Sequence, residues 1–511
     1  MHDGFNARRV QCTAGSQHEM PVTAYNGRMT ERFVKTVAIV ATSAALTASL
    51  AWAQETQTER EAAKDVLQKM ATLEKSLDVP SMVARLSTTS ATRDAVAARA
   101  KQLLDTELLA LSDDICTHPE IGYKETRSVQ KLVEALKKHN FGVEVGVGGF
   151  ETAFVARYRG GRGGRPQMGV IVEYDALRGT NGAFHGDQHC SQGPIGLAAA
   201  VAIGEFLDKA GLPGTVTVFG TPAEELLEPS AKATMHKNHV FDGMDVIVRS
   251  HASTNTSRPA PGFGTCCLNI DGVKYTFSGA PAHQMTAWNG RNALTAVMKL
   301  FDNIDGVRSN MRPEARIQGV ITEGGAAPNV VPDRTQADFY IRYPDEVYLK
   351  QVREFVDNAA KAAALATGTK VKIDNYGNNR DGISIATLAE LAFTYMKQYG
   401  GGKVLDAPGK PQGFEESGSV SRDIPGIGFA AYTSDWPNHT YEMEQDNLKP
   451  VGHKGFTVQA QAMAALLHDF ATNEGYRAAV EKEFAGIRGL FGEYLQALET
   501  VYQVPKVADP K

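Results

Sequence analysis

The chain has 511 residues, of which 42% are hydrophobic and 22% are charged, and its formal net charge is −5 at pH 7. A chain of this length exceeds what one simple hydrophobic core supports, so we expect two or more domains of an ordinary globular protein. No block of lysine and arginine stands out, and a nucleic-acid or membrane-surface partner therefore gains no electrostatic support. The five cysteines include no CxxC pair, which predicts neither a disulfide framework nor a zinc finger.

A targeting segment precedes the first domain. Met29 opens a short basic stretch, the apolar run 36–50 follows, and Ala-Trp-Ala at 51–53 fits the small-x-small rule for signal-peptide cleavage. The apolar run is short for a membrane span, so a retained anchor is the less favoured alternative. We expect residues 1–53 to be a signal-peptide region with Met29 as the true start. Cleavage after Ala53 would release a periplasmic or secreted protein with no membrane attachment.

The elements that follow alternate between helices and short apolar strands. Residues 54–100 are polar, Ala-rich and weakly helical, and they predict a helical N-terminal extension. The strand-like segments of the main domain are 141–147, 152–158, 168–172, 215–219, 246–248 and 427–432. Its predicted helices are 97–118, 128–139, 193–210, 383–399 and 458–471. This alternation predicts an α/β fold.

A segment of different order interrupts the main domain. Its strands are predicted at 268–278, 315–321, 336–342 and 370–375, and its helices at 292–304 and 346–366. The order β-α-β-β-α-β is typical of a ferredoxin-like α+β domain. We therefore expect a catalytic domain in two parts, 101–261 and 377–470, an inserted domain at 262–376, and a C-terminal helical tail at 471–511.

Metal-type side chains follow four of the predicted strands. Asp187 and His189 come after 168–172, the pair Glu224 and Glu225 after 215–219, His251 after 246–248, and His439 after 427–432. Ligands of open α/β sheets gather at the carboxyl ends of the strands, so these residues should meet at one rim. Carboxylates and imidazoles together suit a divalent ion of the zinc or manganese kind. Considered alone, the first of these segments is equally compatible with a polar loop.

The adjacent carboxylates Glu224 and Glu225 need a compensating partner if they lie in a cleft. Two such groups either share a proton or sit beside a cation. With one carboxylate on a metal, the other can take a proton from an activated water molecule and pass it to a leaving amine. The alternative is a solvated charge pair on the surface.

Several motifs together resemble a known family over residues 103–470. They are HPE at 118–120, EYDAL at 173–177, EE after GTPA at 224–225, GG and PNVVP within 324–332, SGSVS at 417–421 and NHT at 438–440. The chain resembles the dinuclear zinc peptidases and amidohydrolases that include aminoacylase, carboxypeptidase G, indole-acetyl-amino-acid hydrolase and p-aminobenzoyl-glutamate hydrolase. The closest branch is the last of these with its dipeptidase relatives. The resemblance implies a zinc-peptidase-like mixed sheet flanked by helices, with the inserted domain acting as a lid and as the surface of a homodimer.

One motif departs from that branch. The family run HxCGH corresponds here to His185-Gly186-Asp187-Gln188-His189, which puts Asp187 in the place of the cysteine that bridges two metals. More distant members use an aspartate there, so the resemblance implies a bridging carboxylate. Such a site is less thiophilic and resists thiol oxidation, which suits an oxidising compartment. Cys190 is a rival ligand whose spacing fits less well.

The resemblance also implies the metal ligands. Asp187 would bridge two divalent ions, with His189 and His251 on one side and Glu225 and His439 on the other, and the assignment of each ligand to one ion stays open. Zinc is the expected metal, and manganese or cobalt would suit the same ligands.

Further roles follow from the same resemblance. Glu224 would be the general acid/base, Asp175 would orient a ligand from behind it, and His185 would be a neighbour of the site. His283 of the lid would polarise the scissile carbonyl, often across a dimer. Asn329 and Arg342 would contact the substrate carboxylate, although a strand-end salt bridge is an equal alternative for Arg342.

The sequence thus predicts an exported metal-dependent amidohydrolase or peptidase. Its substrate would be an N-acyl amino acid, an aminobenzoyl-glutamate-like compound or a dipeptide. One alternative is a binding protein of the same fold that has lost catalysis, motivated by the changed residues at 187 and 188. Another is a strict dipeptidase, which would need an acidic contact for the substrate's α-ammonium group.

Overall fold

A computed structural model describes residues 63–265 and 268–502. The predicted signal segment, with its start at Met29 and its cleavage after Ala53, lies outside the described residues. The end of the predicted C-terminal tail, 503–511, lies outside them as well.

The described helices, numbered in chain order, open with α1 (Lys64–Leu77), α2 (Val79–Leu86), α3 (Ala91–Leu103), α4 (Leu109–Cys116), α5 (Thr126–Lys138), α6 (His189–Ala210) and α7 (Ala231–Lys237). The remaining ones are α8 (Ala293–Val307), α9 (Glu346–Thr367), α10 (Ala386–Gln398), α11 (Tyr441–Asp446), α12 (Pro450–Thr472) and α13 (Glu474–Val501). A single π-helical turn, Leu104–Leu108, joins α3 to α4.

The strands up to the insertion are β1 (Phe141–Val145), β2 (Phe154–Tyr158), β3 (Gln167–Val172), β4 (Leu177–Gly179), β5 (Gly182–Phe184), β6 (Thr215–Gly220), β7 (Val246–Ser250) and β8 (Gly262–Gly264). The later ones are β9 (Asn269–Ser278), β10 (Arg316–Glu323), β11 (Arg334–Tyr343), β12 (Lys370–Asn379), β13 (Gly382–Ser384) and β14 (Gly426–Phe429).

The main sheet has six strands in the order β1-β2-β6-β3-β7-β14. The last four run parallel to one another, whereas β1 and β2 pair antiparallel at one edge. Strands β3 and β7 are buried along nearly their whole length, as expected for parallel strands whose faces are covered by other elements. The predicted mixed sheet flanked by helices is confirmed.

The central helix of this domain is α6. Among the described residues it is the one helix long and apolar enough to cross a membrane, yet 89% of its apolar window is buried inside the fold, so it is a core helix. It begins at His189, four residues before the predicted start, and Gln188 precedes it in the left-handed conformation. A predicted metal ligand therefore occupies the first position of the helix.

The inserted segment has the predicted order of elements, β9-α8-β10-β11-α9-β12. Its four strands form an antiparallel sheet in the order β10-β11-β9-β12, which is the ferredoxin-like arrangement. Helices α8 and α9 pack against each other and against this sheet. We call this domain the lid.

The lid is joined to the main domain at two neighbouring points. Strand β8 precedes it, β13 follows it, and the two pair antiparallel with Gly264 opposite Gly382 and Gly262 opposite Ser384. The chain thus leaves and re-enters the main domain side by side.

The helical extension and the tail helix pack together. Pro80 lies in the first turn of α2, so it begins a helix there, where a missing N–H costs nothing. Helix α13 packs along α1, and its start is fixed by Asn473, whose side chain accepts a hydrogen bond from the Tyr476 N–H at 2.9 Å.

A disulfide joins Cys116, at the end of α4, to Cys190 in the first turn of α6, with 5.0 Å between the two Cα atoms. The cysteine pattern predicts no disulfide framework, and it does not reveal this single bond. The two residues are 74 positions apart, and neither lies in a motif that marks pairing. Only the packing of α4 against α6 brings them together.

Candidate metal centre and active site

The carboxyl ends of the four parallel strands carry the predicted metal-binding side chains. Glu173 and Asp175 follow β3, Glu224 and Glu225 follow β6, and His251 follows β7 directly. The segment after β14 returns as a loop in which His439 donates its backbone N–H to the Gly186 carbonyl at 2.8 Å. That hydrogen bond ties the last ligand-bearing loop to the 185–189 segment.

The carboxylate of Asp187 lies among three imidazoles. Its Oδ2 atom is 3.8 Å from Nε2 of His189, 3.6 Å from Nε2 of His251 and 3.6 Å from Nε2 of His439. Two ligand atoms that each bind a tetrahedral zinc ion at about 2.0–2.1 Å lie roughly 3.4 Å apart. The observed separations are slightly longer than this value. They would allow the Asp187 carboxylate and the three imidazoles to bind the same metal ions.

The glutamate pair completes the cluster. The Oε2 atom of Glu225 is 3.7 Å from Nε2 of His439, and Oε2 of Glu224 is 3.9 Å from Nε2 of His189. Donor atoms of Asp187, His189, Glu224 and Glu225 all lie within 4.8 Å of one another. The donor set is therefore of the kind that holds divalent transition metals.

Contacts at Nδ1 leave the Nε2 atoms of His189 and His251 available to bind a metal ion. Nδ1 of His189 lies 3.1 Å from Oδ1 of Asp175, and Nδ1 of His251 lies 3.2 Å from the Ala252 carbonyl. An Nδ1–H that donates to such an oxygen directs the lone pair of Nε2 into the cluster. Asp175 thus contacts His189 at Nδ1, and its role as an orienting residue stays a prediction.

The charges of the cluster act strongly on one another. Burial alone would raise the pKa of Asp187. The imidazoles of His251, His439 and His189 outweigh this effect and lower that pKa to about 2. Burial raises the pKa of Glu224, and the carboxylates of Glu416, Glu225 and Glu173 raise it further. Burial also raises the pKa of Glu225 to about 7. A divalent cation would relieve this crowding of negative charge.

His185 is buried and lies close enough to His189 and Asp175 to interact with their charges. Burial, together with the nearby His189, lowers its pKa to about 3, so its ring is neutral at physiological pH. Neither ring nitrogen has a hydrogen-bond partner within the described part of the chain. It is a neighbour of the site, as predicted.

A buried ion network that the sequence analysis missed adjoins the cluster. Oε1 of Glu173 is 2.6 Å from Nζ of Lys232 and 3.2 Å from Nε of Arg249, and both cations also pair with Glu416. Oε2 of Glu173 accepts a hydrogen bond from Gln192 at 2.6 Å. Although Glu173 is close enough to His189 and His251 to share a metal with them, these partners place it in the network. An arginine directly after the apolar run 246–248 was the available signal.

Cys190 cannot be the rival ligand, because its sulfur is bonded to Cys116. This leaves Asp187 as the carboxylate of that segment that lies among His189, His251 and His439. In this chain the carboxylate of Asp187 occupies the position that a cysteine has in the family motif, and its role as a bridge between metals stays a prediction.

A cleft of about 600 Å³ opens from the cluster toward the lid. Its lining includes Asp187, Glu224 and His251 of the main domain and Tyr340 and Arg342 of β11. The Arg342 guanidinium lies 5.7 Å from the centre of the Tyr340 ring. The structure therefore brings Arg342 into the same cavity as the metal-type residues.

His283 and Asn329 lie elsewhere on the lid. Both are exposed, and neither lines this cleft. Nδ1 of His283 accepts a hydrogen bond from the Met285 N–H at 3.1 Å, and the Asn329 carbonyl accepts one from the Gln284 N–H at 3.1 Å. Within one chain they do not meet the cluster, and their roles stay predictions.

A mixed sheet with carboxylates and imidazoles at its carboxyl rim, interrupted by a ferredoxin-like lid, defines a metal-dependent hydrolase of the zinc-peptidase class. Comparisons with known proteins agree with this class. Residues 268–367 match the M20 peptidase dimerisation domain. The chain is 28% identical over 394 residues to the Xaa-Arg dipeptidase of Mus musculus, covering 73% of this chain and 88% of that protein.

Two further relatives extend the comparison. One of the p-aminobenzoyl-glutamate hydrolase polypeptides of Escherichia coli is 31% identical over 280 residues, which cover 51% of this chain and 56% of that protein. A dinuclear metal-binding M20 peptidase of Bacillus subtilis shares the fold, with a TM-score of 0.51 at 18% identity over 72% of this chain and 99% of that one. The chain is therefore similar to M20 metallopeptidases and amidohydrolases, which hydrolyse C–N bonds, and these comparisons agree with the family that its motifs predict.

Proposed function

We propose that this chain is an exported amidohydrolase that uses two divalent metal ions. It would cleave the amide bond of an N-acyl amino acid, an aminobenzoyl-glutamate-like compound or a dipeptide. The observation that carries the proposal is the position of Asp187, one carboxylate oxygen of which lies within 3.8 Å of three imidazole nitrogens. Glu224 stands beside this cluster with a carboxyl group of raised pKa.

Five residues would hold the ions, namely Asp187, His189, Glu225, His251 and His439. Bound zinc, manganese or cobalt would activate a water molecule and polarise the substrate carbonyl. Glu224 accepts a proton from the attacking water at its carboxylate oxygen and then donates it to the departing amine nitrogen. Asp175 keeps His189 oriented through the 3.1 Å contact at Nδ1.

The cleft supports the proposed substrate class. Its volume of about 600 Å³ is in the range of small-molecule sites. The guanidinium of Arg342, which is among the residues that line the cleft, is suited to a carboxylate, because its N–H groups match carboxylate geometry. The names of the two relatives, a dipeptidase and a p-aminobenzoyl-glutamate hydrolase, support substrates of the same kind.

The proposal includes a homodimer formed through the lid. The lid exposes large apolar side chains beside His283, with Met285 71% and Trp288 76% accessible. Exposed apolar clusters of this kind are typical of protein–protein contacts. In a dimer, His283 and Asn329 of one chain would reach the cleft of the other. Light scattering on the mature protein tests this, and a monomer at micromolar concentration would contradict it.

The proposal also places the mature protein outside the cytoplasm. The apolar run 36–50 with the Ala-Trp-Ala cleavage pattern supports export, and so does the disulfide, because such bonds persist mainly in oxidising compartments. Expression of the full sequence with N-terminal sequencing of the product is the test. A mature start at Gln54 is expected, and an uncleaved cytoplasmic product would contradict export.

The catalytic proposal is tested with a mass-spectrometric substrate screen on the metal-loaded chain starting at Gln54. The pool contains N-acyl amino acids, p-aminobenzoyl-glutamate and dipeptides with free and blocked α-amino groups. Glu224→Gln is the control, and we expect it to bind metal normally and to lose about 10³-fold or more in kcat. Cleavage restricted to dipeptides with a free amine would identify a strict dipeptidase. No cleavage by the wild type, with metal bound, would leave the binding-protein alternative.

A further inference from the structure

The segment 120–125, which begins at the last residue of the HPE motif, packs against the turn that bears Glu224. A Cβ atom at Gly122 would lie 2.8 Å from the Ala223 Cα, so only glycine allows this approach. The Tyr123 hydroxyl donates a hydrogen bond to the Pro229 carbonyl at 2.7 Å, on the other side of the glutamate pair. The segment 120–125 is therefore packed directly on the loop that follows β6.

Ala223 has a backbone conformation that the surrounding structure must enforce. Its φ is +54°, which lies in the left-handed region that residues other than glycine seldom adopt. Its N–H donates a 2.8 Å hydrogen bond to Oε1 of Glu125, a residue 98 positions away in the chain. Glu125 is fully buried, and its second oxygen accepts a 2.8 Å hydrogen bond from the Thr152 hydroxyl.

The amide on the other side of Glu224 is held in the same way. The Glu225 N–H donates a 3.0 Å hydrogen bond to Oδ2 of Asp175, and the other oxygen of that carboxylate, Oδ1, lies 3.1 Å from Nδ1 of His189. Glu224 thus lies between two backbone amides, each bound by a buried carboxylate from another segment. The direction of its side chain follows from the φ and ψ angles that these two hydrogen bonds fix.

We infer that Glu125 is a positioning residue, which sets the orientation of Glu224 by holding Ala223 in the left-handed conformation. It acts through the backbone and does not reach the cluster itself. The inference rests on the proposed role of Glu224. A glutamine at 125 retains an acceptor for the Ala223 N–H and can donate to the Thr152 hydroxyl, so the role requires the shape and the acceptor oxygen.

Glu120 of the same segment offers a matched control. Its carboxylate accepts hydrogen bonds from the N–H groups of Arg127 at 3.0 Å and Ser128 at 2.8 Å, which caps α5, and within the described residues it makes no hydrogen bond to Ala223. Loss of this cap should lower stability without moving Glu224. A general effect of loosening the segment can thereby be separated from the specific effect of Glu125.

The experiment measures steady-state kinetics and amide exchange of the peptide covering 220–228, on metal-loaded Glu125→Ala, Glu125→Gln and Glu120→Ala. We expect Glu125→Ala to lower kcat at least 30-fold with KM within threefold, and to speed exchange at Ala223 at least tenfold. Glu125→Gln should stay within threefold of wild type in every quantity. Glu120→Ala should lower the melting temperature and keep kcat.

Glu125→Asp serves if the alanine variant does not fold, since it withdraws the carboxylate by one methylene, and we expect an intermediate loss of kcat. Unchanged kcat and exchange in Glu125→Ala, or an equal loss of kcat in Glu120→Ala, would overturn the inference. If the wild type cleaves nothing in the screen, the proposed function fails by itself. The exchange of Ala223 would still decide whether Glu125 holds the turn.

Discussion

The ammonium group of Lys232 lies 2.6 Å from a carboxylate oxygen of Glu173 and 2.6 Å from one of Glu416. All three side chains are buried, and Arg249 pairs with the same two carboxylates. Charges removed from water in this way are tolerated only while each is compensated. The network therefore joins the end of β3 to the loop before β14, and its carboxylates Glu416 and Glu173 are close enough to Glu224 to raise its pKa.

Lys232→Met should lower the free energy of unfolding by about 3–5 kcal/mol, because one cation is then left to compensate two buried carboxylates. Urea denaturation followed by circular dichroism measures this. Lys237→Met, at the exposed end of the same helix, is the control and should change stability by less than about 0.5 kcal/mol. Equal changes in the free energy of unfolding for the two substitutions would show that the buried network does not stabilise the fold more than a surface lysine does.

Asp187→Asn should reduce the metal content from two ions per chain to at most one. The neutral amide keeps the shape of the side chain but removes the charge that lies among three imidazoles. Elemental analysis after dialysis against metal-free buffer gives the count. Asp242→Asn removes an exposed carboxylate that also pairs with a histidine, and it should keep the wild-type count. Two ions retained by Asp187→Asn would rule out the bridging role.

Replacing both Cys116 and Cys190 by serine should lower stability by about 4 kcal/mol, since the disulfide closes a loop of 74 residues. The same variant should release metal more readily, because Cys190 follows the ligand His189 in the first turn of α6. Thermal unfolding and metal-release rates measure the two effects. Wild-type protein treated with a thiol reductant should reproduce them, whereas a reduced wild type identical to the oxidised one would contradict the expectation.

Glu74 should make stability depend on pH through the packing of α1. Burial, together with the negative charge of Glu483 on α13, raises its pKa to about 7. Between pH 4.5 and 7 the folded protein then binds more protons than the unfolded chain, so this group lowers the free energy of unfolding as the pH rises. Glu74→Gln should therefore be more stable than wild type at pH 8, by about 1–2 kcal/mol, and equal to it below pH 4.5.

Melting temperatures of both proteins from pH 4 to 8 test this sign. Asp65→Asn, which changes an exposed carboxylate of the same helix, is the control and should follow the wild-type profile. A constant difference between Glu74→Gln and wild type across the whole range would show that the carboxyl group does not titrate there.

The parts of the site that the sequence predicts are those fixed by strand direction. Asp187, Glu225, His251 and His439 come after strands that turned out to be parallel, and parallel strands put their carboxyl ends at one edge. The order of elements in the lid was predictable for a similar reason, because each strand and helix shows its own hydrophobic period.

Other features depend on contacts between distant segments. Hydrophobic periodicity does not tell that Lys232 meets Glu416, or that the Glu125 carboxylate reaches the Ala223 amide. The disulfide was missed for the same reason, since nothing near Cys116 marks a partner in α6. Such pairings are set by how helices lie on the sheet, which one sequence does not encode in any local pattern.

The pairing of β8 with β13 places the two ends of the lid at hydrogen-bonding distance, with Gly264 opposite Gly382. An insertion attached in this way does not push apart the two points of the main domain that it connects. A two-residue turn between these glycines would close the main domain as an ordinary hairpin, since that is the connection antiparallel neighbours accept. The lid therefore starts and ends at one place in the main domain, and its removal would leave the ends of β8 and β13 adjacent.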